Sequence, residues 1–309
     1  MTCILQIGPL TERFNRGLAA EHEVLRYWDA GDDALVEREA ERIEIVVTSA
    51  RFGCRAALID RLPELRAIIS FGVGYDAIDV AAARARGIPV SNTPDVLNDC
   101  VADLAFGLVI DCARQLSRAD RFVRAGQWPA GGLPLARRVS GKKLGIVGLG
   151  RIGEAVARRS SGFDMEVRYH NRRPVEGSPY GYAASLVDLA RWSDFLVLTC
   201  PGGPGTHHLI DRPVLDALGE KGTLINVSRG SVVDEAALVD ALCEGRLGGA
   251  GLDVYAREPE VPQPLFDLPN VVLLPHIGSA TEETRLAMEE LLFANLRAFL
   301  TRGEVLTAV

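Results

Sequence analysis

No apolar run in this chain approaches the ~20 residues that a membrane-spanning helix requires, which argues against a membrane protein. Residues 1–9 lack a basic stretch and a small-residue cleavage site, so no secretory signal is expected there. Surplus positive charge is missing as well. With 34 Lys and Arg against 41 Asp and Glu, the formal net charge of −7 disfavours a nucleic-acid-binding surface. The six cysteines (Cys3, Cys54, Cys100, Cys112, Cys200, Cys243) include no C-x-x-C pair, and the five histidines add no ligand cluster, so no metal site is expected. Free thiols in a reducing cytoplasm account for them better.

What is present is an alternating pattern. The 309 residues, 48% hydrophobic, suffice for two cores rather than one. Apolar runs at 3–7, 43–48, 67–70 and 88–90 alternate with amphipathic stretches at 33–41, 55–61 and 80–86. Strands alternating with helices imply the α/β class, with a doubly wound parallel sheet in each half. Pro94 marks a crossing point, with Asp95 or Asn98 as the cap of a long helix from 101 to about 124. A loop at 126–138 carrying Trp128 follows, and further strands are expected at 195–199, 223–226, 249–253 and 271–274. The expected domains are 1–97, completed by a returning helix in 281–309, and 98–280, with a cleft between them.

Segment 143–153 carries the strongest single signal. Leu144 to Val147 reads as a buried strand, Gly148, Gly150 and Gly153 give G-x-G-x-x-G, and 154–160 continues as a helix. That is the strand–turn–helix setting of a dinucleotide site, whose glycines serve a tight turn, close approach to a pyrophosphate, and helix–strand packing. The next strand, 165–170, selects among dinucleotides by an absence. An acid that would hold the ribose 2′-hydroxyl of NAD is missing from its end, where Asn171, Arg172 and Arg173 stand instead. Guanidinium forks match phosphate oxygens, so NADP(H) is the expected cofactor, with NAD(H) as the alternative.

Three further residues follow apolar runs near the ends of later strands: Arg229, Glu258 and His276. Ligands of open α/β sheets bind beyond the carboxyl ends of the strands, so the three are placed to converge. Reducing a ketone by hydride transfer needs a proton donor and a fixed cation. An imidazole paired with a carboxylate supplies the first, and an arginine that clamps a carboxylate and polarises a carbonyl supplies the second. Taken singly, each also reads as a surface charge or a structural histidine, and spacing alone leaves the two readings even.

The chain resembles the D-2-hydroxyacid dehydrogenase family along nearly its whole length. The resemblance is carried by 71–79 (FGVGYDAID), 92–97 (NTPDVL), the glycine motif, 226–231 (NVSRGS), 251–255 (GLDVY), Glu258 with Pro259, and 275–279 (PHIGS). It implies a Rossmann-type cofactor domain and a flavodoxin-like substrate domain. By the same resemblance Arg229, Glu258 and His276 form the catalytic triad, with His276 as proton donor. Val73 and Gly74 would offer amides to the substrate carboxylate, and Asp253 would face the nicotinamide carboxamide. Arg151, Ile152, Cys200, Pro201, Thr206, Val227, Ser228 and Gly278 would line the cofactor. The turn at 169–174 and segment 200–208 are similar to the NADPH-dependent glyoxylate/hydroxypyruvate reductase branch, although Cys200 stands where Leu or Val is common. A C-terminal regulatory domain found in related phosphoglycerate dehydrogenases is not expected. Apolar residues of the 101–124 helix and Trp128, in a region through which relatives pair, lead us to expect a two-fold homodimer.

The expected activity is reduction of a small 2-oxoacid, glyoxylate or hydroxypyruvate. The alternatives are a reductase of larger acids, aryl-pyruvates or 2-keto sugar acids, and a dinucleotide-sensing corepressor without catalysis. The last is disfavoured because no low-complexity extension is present. Arg51, following the 43–48 strand, is a candidate for setting substrate size, although a plain surface loop is the competing reading.

Overall fold

The computed structural model describes residues 2–29 and 32–309. Its chain divides into two compact units, Met1–Leu97 with Thr281–Val309, and Asn98–Ala280.

The first unit is built on five parallel strands, β1 (Cys3–Gln6), β2 (Glu23–Arg26), β3 (Ile43–Ser49), β4 (Ala67–Phe71) and β5 (Val90–Ser91), in the order β2-β1-β3-β4-β5. This is the flavodoxin-like order, with its switch point between β1 and β3. Ile4, Leu5, Ile45, Val46, Ile68 and Ile69 are fully buried, because the sheet is covered on both faces. Helices α1 (Glu12–Glu21), α2 (Asp32–Glu39), α3 (Ala56–Asp60) and α4 (Val80–Ala85) connect the strands. A last helix, Glu282–Arg302, is capped by Thr281 and packs on β4, burying Met288, Leu292, Leu296 and Phe299. Sequence reasoning passed over α1 and β2. The second is a half-exposed edge strand with no alternation to betray it.

In the second unit seven parallel strands are β6 (Lys143–Val147), β7 (Glu166–His170), β8 (Gly181–Tyr182), β9 (Phe195–Leu198), β10 (Thr223–Asn226), β11 (Gly249–Leu252) and β12 (Val271–Leu273). Their order is β12-β11-β10-β9-β6-β7-β8. The direction of winding reverses between β6 and β9, so the loops after these two strands flank the crevice where such sheets bind ligands. The helices are α5 (Asn98–Arg114), α6 (Leu116–Arg124), α7 (Arg151–Ser160), α8 (Leu186–Trp192), α9 (Arg212–Leu218) and α10 (Glu235–Cys243).

The single helix expected from 101 to about 124 is instead two helices, α5 and α6. Gln115 adopts a left-handed conformation (φ 56°) between α5 and α6. The Asp111 carboxylate accepts the Ser117 amide at 2.9 Å and also the Ser117 hydroxyl, so it caps the second helix from the last turn of the first. Beyond the break, Leu116, Val123, Trp128 and Leu135 are exposed, the last completely. Among the described residues, no helix is long and apolar enough to cross a membrane.

Candidate active site

Each glycine of the 148–153 turn has a separate physical role. Gly148 has φ +100°, and a Cβ on it would lie 2.6 Å from the Cys200 backbone. Gly150 has open space where its Cβ would project, and it ends the turn from which α7 starts. At Gly153 an added Cβ would meet the Gly148 carbonyl oxygen at 2.5 Å and Ile146 at 3.2 Å, so only glycine lets α7 sit this close to β6. Thr199 donates its hydroxyl to the Gly148 carbonyl at 2.8 Å and holds the turn from β9. The N-terminal end of α7, beside the uncluttered space at Gly150, fits a pyrophosphate. Arg151 and Ile152 occupy the first turn of this helix.

Cys200, Pro201 and Thr206 lie on the loop after β9, opposite the glycine turn across the switch point. The Thr206 hydroxyl closes that loop onto the Pro201 carbonyl at 2.7 Å. Cys200 is buried, and burial raises its thiol to about 11 despite a hydrogen bond with Ser228. It is a packing residue at the wall of the site, not a nucleophile.

At the end of β7 the Arg turn is tied to the glycine turn. Gly148 donates to the His170 carbonyl at 3.0 Å. Asn171 accepts the Leu149 amide at 2.6 Å and donates to the Leu149 carbonyl at 3.2 Å. Both ends of the Asn171 side chain are thus engaged by backbone, which gives it a holding role at the end of β7. Arg172 and Arg173 are exposed and, among the described residues, bond to no other side chain.

The three charged residues sit after β10, β11 and β12. Asn226, buried at the end of β10, accepts from the Ser228 amide and hydroxyl and donates to the Arg229 carbonyl at 3.0 Å, shaping the turn through Val227. Gly230 lies so close to the next loop that a Cβ would be 1.9 Å from the Tyr255 carbonyl carbon. That contact seats the Arg229 turn against the segment bearing Glu258. The Tyr255 amide donates to Glu258 Oε1 at 3.1 Å, and Glu235 accepts the Ala256 amide at 2.9 Å. Tyr255 donates its hydroxyl to the Leu274 carbonyl at 3.0 Å, just before His276.

His276 Nδ1 lies 2.7 Å from Glu258 Oε2. A carboxylate there accepts a hydrogen bond from Nδ1–H and leaves Nε2 as the nitrogen open to a substrate, and the ring is 44% exposed. Burial pushes the Glu258 carboxyl up, but the His276 hydrogen bond and charge, the Tyr255 amide and Arg229 outweigh it and leave it below the ordinary value. Asp253 is buried, and Oδ1 and Oδ2 accept the Ile277 and Gly278 amides at 2.7 and 2.8 Å. Those bonds hold His276 at φ +55°. Burial is the main reason that the Asp253 carboxyl stands above its usual value, with the two amides and the His276 charge opposing it.

In the first unit, Val73 and Gly74 follow β4. Thr93 holds Gly72 by two bonds of 2.9 Å, and Asn92 donates to the Val73 carbonyl at 2.8 Å. No bond occupies the Val73 and Gly74 amides among the described residues. Arg51 stacks over Phe52, which fills the space a side chain at Gly8 would need, so the loop after β3 packs on the turn after β1. The signals missed in the sequence were Thr199, Asn226, Glu235 and Tyr255, whose work is done through backbone atoms.

Comparison with known proteins matches residues 106–278 to the model described as D-isomer specific 2-hydroxyacid dehydrogenase, NAD binding domain. Hydroxyphenylpyruvate reductase of Plectranthus scutellarioides is 47% identical over 307 residues, covering 99% of this chain and 98% of that protein. Glyoxylate/hydroxypyruvate reductase A of Arabidopsis thaliana is 46% identical with the same coverage. The crystal structure of an NADPH-dependent glyoxylate/hydroxypyruvate reductase from Sinorhizobium meliloti, in complex with NADP and malonate, superposes with a TM-score of 0.94 at 44% identity, over 100% of this chain and 96% of that one. Fold, glycine turn and family match agree: the chain belongs to the D-isomer specific 2-hydroxyacid dehydrogenase family of oxidoreductases.

Proposed function

We propose that this protein reduces a small 2-oxoacid at the expense of NADPH, either glyoxylate, to achiral glycolate, or hydroxypyruvate, to the D-2-hydroxyacid. The single observation that carries the chemistry is the His276–Glu258 contact at 2.7 Å, with Arg229 close enough to favour the Glu258 carboxylate. When bound, the nicotinamide supplies the hydride. The chain supplies the proton from His276 Nε2, while Glu258 holds the ring and stabilises its charged form. Arg229 pairs with the substrate carboxylate and polarises the ketone oxygen, where negative charge develops. The relatives that act on glyoxylate and hydroxypyruvate support the small acid. A larger aryl-pyruvate is the second reading, favoured by the likeness to a hydroxyphenylpyruvate reductase. A panel of 2-oxoacids at fixed NADPH tests this, and a preference for the aryl acid overturns the small-acid reading.

Preference for NADP(H) rests on Arg172 and Arg173, two exposed guanidiniums where a ribose-binding acid is absent. Charge-assisted contacts contribute ~1.5–3 kcal/mol each, so Arg172→Ala is expected to weaken NADPH by about tenfold to a hundredfold and to leave NADH nearly unchanged. Equal loss for both cofactors, or a wild type that prefers NADH, contradicts the assignment. We also propose a two-fold homodimer that covers exposed Leu116, Val123, Trp128 and Leu135. A monomeric mass by light scattering at micromolar concentration overturns it.

A further inference from the structure

The edge strand β8 is the shortest of its sheet and contributes nothing to the glycine turn, yet its Tyr182 reaches the Arg turn. The Tyr182 hydroxyl donates to the Asn171 carbonyl at 3.2 Å, on the residue immediately before Arg172. β8 itself is fixed to β7 through Arg168 paired with Gly181 and Tyr169 paired with Tyr182. The two tyrosine rings pack with centroids 5.5 Å apart. Ala183 donates to the Tyr169 carbonyl at 2.8 Å and accepts from His170 Nδ1 at 2.9 Å. From the other side the glycine turn grips the same two residues, through Gly148 to His170 and Leu149 to Asn171.

The peptide leading into Arg172 is therefore held from both sides, by the pyrophosphate turn and by Tyr182. An arginine side chain has much rotamer freedom to lose when it meets a phosphate, and a fixed backbone lowers what remains to be ordered. We propose that Tyr182 is a positioning residue for cofactor selectivity: through the Asn171 carbonyl it fixes the direction in which Arg172 and Arg173 leave β7, and so strengthens binding of a 2′-phosphate without touching it. Asn171 is the other half of the device, coupling that turn to the glycine loop. The inference rests on the NADP(H) reading above.

The test measures binding by titration calorimetry, without turnover, using adenosine 2′,5′-bisphosphate and adenosine 5′-diphosphate as probes on the full chain. Four proteins are compared: wild type, Tyr182→Phe, Arg172→Ala/Arg173→Ala, and the triple variant. Loss of one hydrogen bond should weaken the 2′-phosphorylated probe by about twofold to tenfold in Tyr182→Phe and leave the other probe unchanged. In the double-arginine background the same substitution should have no effect, because its route to the phosphate is gone. If Tyr182→Phe weakens both probes alike, binds both normally, or acts equally in the two backgrounds, the inference fails while the arginine assignment stands. If the wild type itself does not prefer the 2′-phosphorylated probe, the NADP(H) reading fails and takes the inference with it. Thermal melts of the four proteins show whether any loss comes from unfolding. A loss of probe binding that tracks melting also overturns the proposal.

Discussion

His276 occupies a backbone conformation that costs a non-glycine residue about 1–2 kcal/mol, and Asp253 offsets this with two amide bonds. The strain buys a fixed direction: the ring meets Glu258 through Nδ1 and keeps Nε2 for the substrate. Replacing Glu258 by Gln keeps the shape and removes the charge that favours imidazolium. We expect kcat for reduction to fall by about tenfold across the pH profile, because the ring loses the carboxylate that orients Nε2 and balances its charge. An unchanged profile breaks the dyad. Arg229→Lys is not conservative, because an ammonium lacks the fork that serves a carboxylate and a ketone together. KM for the oxoacid should rise and kcat fall, and a loss confined to NADPH affinity refutes its assignment to substrate.

At the scale of elements, Gln115 is the position where sequence and structure part. Its αL conformation is one glycine adopts without steric cost, so Gln115→Gly should be neutral or stabilising by up to about 1 kcal/mol, unlike a glycine inside a helix. A drop in Tm of several degrees would mean that α5 and α6 are one helix in solution. Asp111→Ala should destabilise by about 1 kcal/mol through loss of the cap at Ser117. Nothing in the residue types announced this break. Glutamine is a good helix former, and the capping carboxylate belongs to the preceding helix. The glycine turn was legible because Gly148 and Gly153 answer steric demands that no other residue meets, and Gly150 stands at the spacing between them. Buried strands such as β3 and β4 were legible from unbroken apolar runs, whereas β2, β8 and the scaffolding by Asn226, Glu235 and Tyr255 depend on contacts distant in sequence. The Asn171–Leu149 bonds, 22 residues apart, belong to the same class.

For the whole molecule, burial places three thiols far above the ordinary value of 9.0: Cys54 and Cys112 at about 12 and Cys200 at about 11. A raised value means that the folded state holds the proton more tightly than the unfolded one. The stability this contributes is complete below pH 9 and is lost as pH rises towards 11 to 12. Tm should therefore fall above pH 9, and Cys112→Ala should flatten that fall even though it leaves a small cavity beside Gly251. An identical alkaline slope in the variant would show that this thiol does not titrate on unfolding. Acid behaves in the opposite sense for Glu258, whose lowered value contributes stability that disappears as pH drops below its unfolded value.

The reaction itself is tested most directly by following NADPH oxidation with glyoxylate and hydroxypyruvate in wild type and in His276→Ala, with NADPH affinity measured separately. The wild type should turn over at least one of the two acids, and the variant should lose at least ~100-fold in kcat while binding NADPH almost normally. Near-normal turnover by His276→Ala, or a wild type that oxidises NADPH with neither acid, would contradict the account.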